Sequence, residues 1–328
     1  MPHYDVAEPV RVVFMGTPDF AVPTLRALLE SERYRVVGVV TQPDRPAGRG
    51  RTLRPSPVKA VALEAGVPIA QPRKTHEPSA FAQLQTWAPD FLVVVAFGQI
   101  LRQAVLDLAR VMPINVHASL LPRWRGAAPI QYAIRAGDAE TGITTMQMDA
   151  GMDTGPILLQ ETVPIVPNET GQSLHDKLAP LGAKLLIRTL DGVLSGAVVP
   201  RPQPDDAALV SYAPMLKKEE GALNWAQSAA EIDRHVRAFF PWPGTYTHWG
   251  EKRLKIVAGF PAEDVRLEAA PGQVLLSAGT PLQARAPLMI ATGNGVYVPT
   301  RLQLAGRKAQ DARAFLNGAP EIVGAVLE

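Results

Sequence analysis

Val10-Arg-Val-Val-Phe-Met-Gly-Thr-Pro-Asp-Phe20 is the stretch that decides the fold. Val10 to Met15 is a short β-branched run that stops at Gly16, and from Phe20 to Leu29 the apolar residues take helical spacing. The unit then recurs. Tyr34 to Thr41 reads as a second strand and Pro57 to Ala65 as a second helix. Residues 91–96 form a fully apolar strand, Ile114 to His117 another, and Ser173 to Leu190 a long closing helix. Continuous apolar strands alternating with helices imply an α/β domain with a mostly parallel sheet covered on both faces. In such sheets ligands bind beyond the carboxyl ends of the strands. The loops after Met15, Thr41, Ala96 and His117 are therefore where chemistry is expected.

The second half is patterned differently. Ala229 to Phe239 reads as one helix, followed by short strand-like runs at Gly244–Trp249, Arg253–Ala258, Gly272–Leu276, Leu282–Ala286, Leu288–Thr292 and Gly295–Leu304. Gly and Pro separate these runs, which is the pattern of a small β-barrel. Between the halves, Val198 to Asp206 carries Pro200, Pro202 and Pro204 and reads as an extended linker. The expected division is residues 1–198, a linker at 199–212, and 213–328.

The chain has 328 residues, 47% hydrophobic and 20% charged, which fits a folded two-domain protein rather than a disordered one. It has no cysteine, so disulfides, thiolate metal sites and thiol nucleophiles are excluded. A net charge of +2 is not bulk basicity, so any nucleic-acid contact must come from a local patch. No apolar stretch approaches the roughly 20 residues of a spanning helix. The first nine residues lack the apolar core of a secretory signal, and a cytoplasmic location is expected.

Asn115-Val-His117 ends an apolar strand, and residues two apart on a strand face the same side. Asn offers an amide donor, and His a general acid or oxyanion donor. A satisfied strand-end histidine beside a capping Asn would read the same way. Further on, Gly142 to Ile157 runs from a strand into a loop holding Asp149 and Asp153 amid Gly151 and Gly155. Either Asp could orient the imidazole and favour its cationic form. Asp next to Gly is also a common turn former, and sequence alone does not bring Asp153 to His117. Gln42 to Arg54 holds four Arg against one Asp in a long loop at the ligand edge. It suits phosphate contact, with a solvated surface loop as the other reading. No GxGxxG, P-loop, GxSxG or HExxH pattern occurs, and no metal site is expected.

Several further segments fall in line with these. Phe14-Met-Gly-Thr-Pro-Asp-Phe20, Thr41-Gln-Pro-Asp-Arg-Pro-Ala-Gly-Arg-Gly50, Pro55-Ser-Pro-Val-Lys59, Val94-Val-Ala-Phe-Gly98, Asn115-Val-His117 and Ser119-Leu-Leu-Pro-Arg-Trp-Arg-Gly126 occur in that order. Leu216-Lys-Lys-Glu-Glu220 and Pro241-Trp-Pro243 follow. Together they resemble the methionyl-tRNA formyltransferases over nearly the whole chain. The resemblance implies a Rossmann-like formyltransferase domain and a C-terminal OB-like, tRNA-binding barrel. It implies transfer of a formyl group from 10-formyltetrahydrofolate to the amino group of methionyl initiator tRNA, for translation initiation. Asn115, His117 and Asp153 match the catalytic trio. Phe97, Gln99, Ile100, Leu101, Ser119, Leu120, Leu121, Pro122 and Asp149 match the folate site. Arg45, Arg49 and Arg51 fall in the insertion that contacts tRNA. Methionyl initiator tRNA and folate are the implied partners, with no metal, membrane or obligate protein partner. A formyltransferase acting on a nucleotide-sugar amine would share the trio, but has no use for the Arg-rich loop.

Overall fold

The computed structural model describes residues 9–47, 52–204 and 206–328. The chain divides into two compact units. One comprises Met1–Pro129, Glu140–Pro164 and His175–Pro214, the other Ile130–Ala139, Ile165–Leu174 and Met215–Glu328.

The first unit is built on a seven-stranded sheet. Its strands are β1 (Val10–Gly16), β2 (Tyr34–Val40), β3 (Ile69–Ala70), β4 (Phe91–Val95), β5 (Met112–His117), β6 (Glu140–Gln147) and β7 (Ile157–Pro164). They lie in the order β7-β6-β5-β4-β1-β2-β3. The five strands from β5 to β3 in that order run parallel, and β6 is antiparallel to both neighbours. The chain leaves β1 towards β2 on one side and returns to β4 on the other. That reversal makes the crevice at the carboxyl ends of β1 and β4 the expected ligand position.

Helices α1 (Val22–Leu29), α2 (Pro57–Glu64), α3 (Pro78–Trp87) and α4 (Gly171–Ser195) belong to the crossovers and the closing segment. Helix α3 was not expected from the sequence, because its buried residues Ala80, Leu84 and Trp87 are diluted by Ser, Gln and Thr. It packs closely nonetheless. A Cβ on Gly38 of β2 would lie 2.4 Å from the Trp87 ring, so glycine is what lets the indole rest on the strand. On the opposite sheet face Gly182 brings α4 against Val116 and Ile143. Strand β7 also escaped the sequence reading: as an edge strand it buries alternate residues rather than a continuous run.

The second unit carries an antiparallel sheet with β8 (Thr245–Trp249), β9 (Lys252–Ala262), β10 (Val274–Leu276), β11 (Leu288–Ala291), β12 (Val296–Leu304) and β13 (Gln310–Asp311). The order is β8-β9-β12-β11-β10, with β13 on β12, an OB-like half-barrel. The run Leu282–Ala286, expected as a strand, is instead a helical turn in which Ala286 N–H donates to Leu282 O at 3.1 Å. Leu282 and Ala286 are buried with Met289, Val296 and Val298, so the apolar signal was real but carried an i,i+4 period. Helix α5 (Ala229–Ala238) begins at a Ser228/Glu231 capping box. Among the described residues no helix is long and apolar enough to cross a membrane.

Helix α5 contains a buried pH-sensitive group. His235 is 5% exposed, and its Nε2 lies 2.7 Å from Glu220 O. Burial, with Arg135 nearby, lowers its pKa to about 4. An unfolded histidine titrates near about 6.5. The contribution is therefore complete above that value and is lost as pH falls towards about 4, a total of about 3 kcal/mol. Thermal unfolding between pH 7.5 and 4.5 should show a steeper fall for the wild type than for His235→Gln. Parallel curves would reject the assignment.

Candidate active site

Strand β5 is an interior strand, paired to β4 through Val94 and Asn115 and to β6 through His117 and Thr144. Asn115 and His117 share one face of it, at its carboxyl end. The loop between β6 and β7 brings in the acid. Its base closes where Gln147 N–H donates to Pro156 O at 2.9 Å. A Cβ on Gly155 would stand 1.9 Å from Gln147 O, so only glycine permits that closure. Asp149 folds the loop on itself, accepting from Gly151 N–H at 3.0 Å and from Thr154 Oγ1 at 2.8 Å. Asp153 then takes a left-handed backbone, φ 54°.

The Asp153 carboxylate is the hub of the site. Oδ1 accepts from Asn115 Nδ2 at 3.2 Å and Oδ2 from Gly126 N–H at 2.8 Å. Oδ2 also lies 3.6 Å from His117 Nδ1. The imidazole is 6% exposed, and its Nε2 is 2.9 Å from Trp124 O. A carbonyl only accepts, so Nε2 carries the proton and Nδ1 faces the carboxylate. The loop Ala118–Gly126 thus contributes two backbone groups, Trp124 O and Gly126 N–H, that sequence reading did not single out. Backbone groups leave no residue-type signal.

The residues matched to the folate site divide into buried supports and exposed edges. Phe97 and Leu101 belong to the sheet core. The Phe97 carbonyl accepts from Thr17 Oγ1 and Gln42 Nε2, both at 3.2 Å, which gives the Gly16–Phe20 and Thr41–Asp44 segments a role in fixing this loop. The Gln99 amide is engaged with backbone, accepting from Thr75 N–H and donating to Pro72 O, both at 3.1 Å. Ser119 is buried and donates to Arg123 O at 2.6 Å. Leu121 and Pro122 are buried, and Leu120 is half-buried. Ile100, by contrast, is 81% exposed, and Met152 beside Asp153 is also exposed.

Arg45 is exposed in a short strand that pairs antiparallel with Thr52–Arg54. Arg49 and Arg51 lie outside the described residues. The base of this excursion is clamped. Asp44 accepts from Lys59 Nζ at 2.6 Å and from Gln71 Nε2 at 2.8 Å, and the Lys59 bond holds its carboxyl below the usual carboxylate range.

An Asn, a His and an Asp thus converge at the carboxyl edge of a doubly wound sheet, the edge at which such sheets hold ligands. The formyl transferase family model matches residues 10–190, and the model of the formyl transferase C-terminal domain matches 215–320. A methionyl-tRNA formyltransferase of Citrifermentans bemidjiense is 48% identical over 94% of this chain and 93% of its own length. One of Symbiobacterium thermophilum is 48% identical over 96% and 94%. Among solved structures, WlaRD, a sugar 3N-formyl transferase crystallised with dTDP and 5-N-formyl-THF, superposes with a TM-score of 0.64. It is 17% identical and covers 92% of this chain and all of its own, a likeness of fold. The chain belongs to the methionyl-tRNA formyltransferase family.

Proposed function

We propose that the protein transfers the formyl group of 10-formyltetrahydrofolate to the amino group of methionyl initiator tRNA, in the cytoplasm, for translation initiation. Residues 1–198 would act as the catalytic domain, 199–212 as the linker and 213–328 as the tRNA-binding domain. The observation that carries the reading is the convergence of Asn115, His117 and the Gly126 N–H on the Asp153 carboxylate.

Attack of an amine on a formyl carbon places negative charge on the carbonyl oxygen. An amide has two N–H donors, so Asn115 can hold Asp153 with one and offer the other to that oxygen. His117 supplies a second donor through Nε2–H. Preorganised donors of this kind contribute roughly 3–4 kcal/mol each to lowering the barrier. The Asp153 carboxylate orients the Asn115 donor, lies beside His117 Nδ1 and, through water, accepts the proton that the attacking amine loses. The exposed edge formed by Ile100, with Phe97, Gln99 and Leu101 fixed behind it, and the turns at Ser119–Pro122 and Asp149, would hold the folate.

The acceptor requires contacts beyond this pocket. Arg45, Arg49 and Arg51 would supply them. Arg253, which stacks on Tyr246, and Lys255, Arg307 and Lys308 offer basic groups on the barrel.

Formyl transfer should be measured with methionyl initiator tRNA, methionyl elongator tRNA and a UDP-amino-sugar as acceptors. Strong preference for the initiator is expected, and transfer to the sugar alone would retain the trio but discard the tRNA. The triple variant Arg45→Ala/Arg49→Ala/Arg51→Ala should raise KM for tRNA by more than about tenfold and flatten its salt dependence by about three log units per log unit of salt. An equal rise in KM for folate would move these arginines out of the tRNA role.

A further inference from the structure

The segment after residue 198 has the composition of a connector, yet several of its described residues are bonded to the active-site loops. Arg201 and Ile157 exchange two backbone hydrogen bonds, of 2.7 and 2.9 Å. Tyr212 and Ala213 pair in parallel with Arg125 and Gly126. Ser211 Oγ accepts from Trp124 N–H at 2.9 Å, and it is the Trp124 carbonyl that holds His117. The tightest contact is Gln203. Its Nε2 donates to the carbonyls of both Asp153 and Gly155, each at 2.8 Å. Its Oε1 accepts from Arg125 Nε at 3.0 Å and Nη2 at 2.6 Å. An amide offers two donors and two acceptor sites, and all of them are used here.

We infer that Gln203 is a positioning residue for the reaction, holding Asp153 and the Arg125–Gly126 turn in register. The argument rests on the catalytic reading of Asp153 given above. The Asp153 peptide is left-handed, a conformation rarely taken by residues other than glycine and kept only where the surroundings impose it. Gln203 imposes it from behind, at the carbonyl of Asp153 itself. It simultaneously fixes Arg125, the residue before the Gly126 N–H that holds the Asp153 carboxylate. One side chain therefore ties the two loops that meet at the Gly126–Asp153 contact beside Asn115 and His117. Pro202 and Pro204 fix φ on both sides of Gln203, which narrows the backbone freedom at its attachment. The same contacts couple the connector to catalysis: a displacement of 201–213 would reach Asp153 and Trp124 directly.

Two variants test this. Gln203→Ala removes all four hydrogen bonds. Gln203→Glu keeps the volume and the Arg125 partner, but sets carboxylate oxygens against the carbonyls of Asp153 and Gly155. Both should lower kcat by about 10²-fold, the size expected of a small misplacement of a catalytic group. KM for folate and for tRNA should stay within about twofold, since the Gln203 side chain bonds none of the residues assigned to either binding surface. A merely structural clamp on Arg125 would be rescued by the Glu variant, so restored turnover in Gln203→Glu overturns the inference, as does normal kcat in Gln203→Ala. Where the Ala variant melts too low to assay, the Glu variant carries the test alone. Normal turnover by Asp153→Asn would instead remove the catalytic reading itself. An impaired Asp153→Asn beside normal Gln203 variants would remove this inference only.

Discussion

Asp153→Asn should lower kcat for formyl transfer by about 10³-fold, in the range set by losing an acid–base group and disturbing an oxyanion donor. The substitution isolates charge and acceptor capacity. Asn tolerates the left-handed backbone that Asp153 adopts, so the loop has no new strain to relieve. A carboxylate only accepts, and its two oxygens serve Asn115 Nδ2 and Gly126 N–H. A carboxamide has one oxygen. Whichever way it turns, an NH2 group meets one of those donors, and either Asn115 or the 118–126 turn must move. The negative charge beside His117 Nδ1 is lost as well. Melting temperature should change by only a few degrees, because Asp153 lies on a half-buried loop rather than in the core. Single-turnover rates at saturating concentrations of both substrates give the readout, and a rate near wild type would remove Asp153 from the mechanism.

The sequence made one edge of this site legible and left the opposite edge obscure. Asn115 and His117 could be paired because strand geometry forces residues two apart onto one face. The β4–β5 register then places them at the carboxyl edge, as expected. Asp153 could not be placed by such a rule. Its position depends on a closed loop, on Gly155, where a Cβ would lie 1.9 Å from Gln147 O, and on contacts to a turn 27 residues earlier in the chain. Chain-local periodicity carries no information about contacts of that kind.

The connector shows the opposite failure. Three prolines between 200 and 204 read as an extended linker, but extended backbone is also what pairs with a neighbour, as at Arg201 and again at Tyr212–Ala213. The polar Gln203 set between two prolines was the only local sign that something was being held. Helix α3 was hidden for a physical reason too. Its core contribution is concentrated in Trp87, whose contact surface is supplied by a glycine on a different strand. In the half-barrel, Leu282–Ala286 was apolar enough for a strand, and only its period distinguishes a buried helical turn.

His117→Ala is expected to cost about 10²–10⁴-fold in kcat, again with KM for both substrates little changed. The resting geometry explains why the imidazole cannot be replaced by water. Nε2–H is held by Trp124 O, and Nδ1 faces the Asp153 carboxylate. Nε2–H forks from Trp124 O towards the oxygen on which charge develops. Water in the emptied space would keep neither direction. The variant also leaves the Trp124 carbonyl without its imidazole donor, a loss of roughly 1–3 kcal/mol if no water replaces it, which should lower the melting temperature without unfolding the protein. The sharper check is the double variant His117→Ala/Asp153→Asn. If the two side chains act as one unit, its kcat should fall close to that of the worse single variant, because groups that work together are strongly non-additive. Multiplication of the two single losses would show that they act separately, and the carboxylate could then no longer be assigned to the same step as the imidazole.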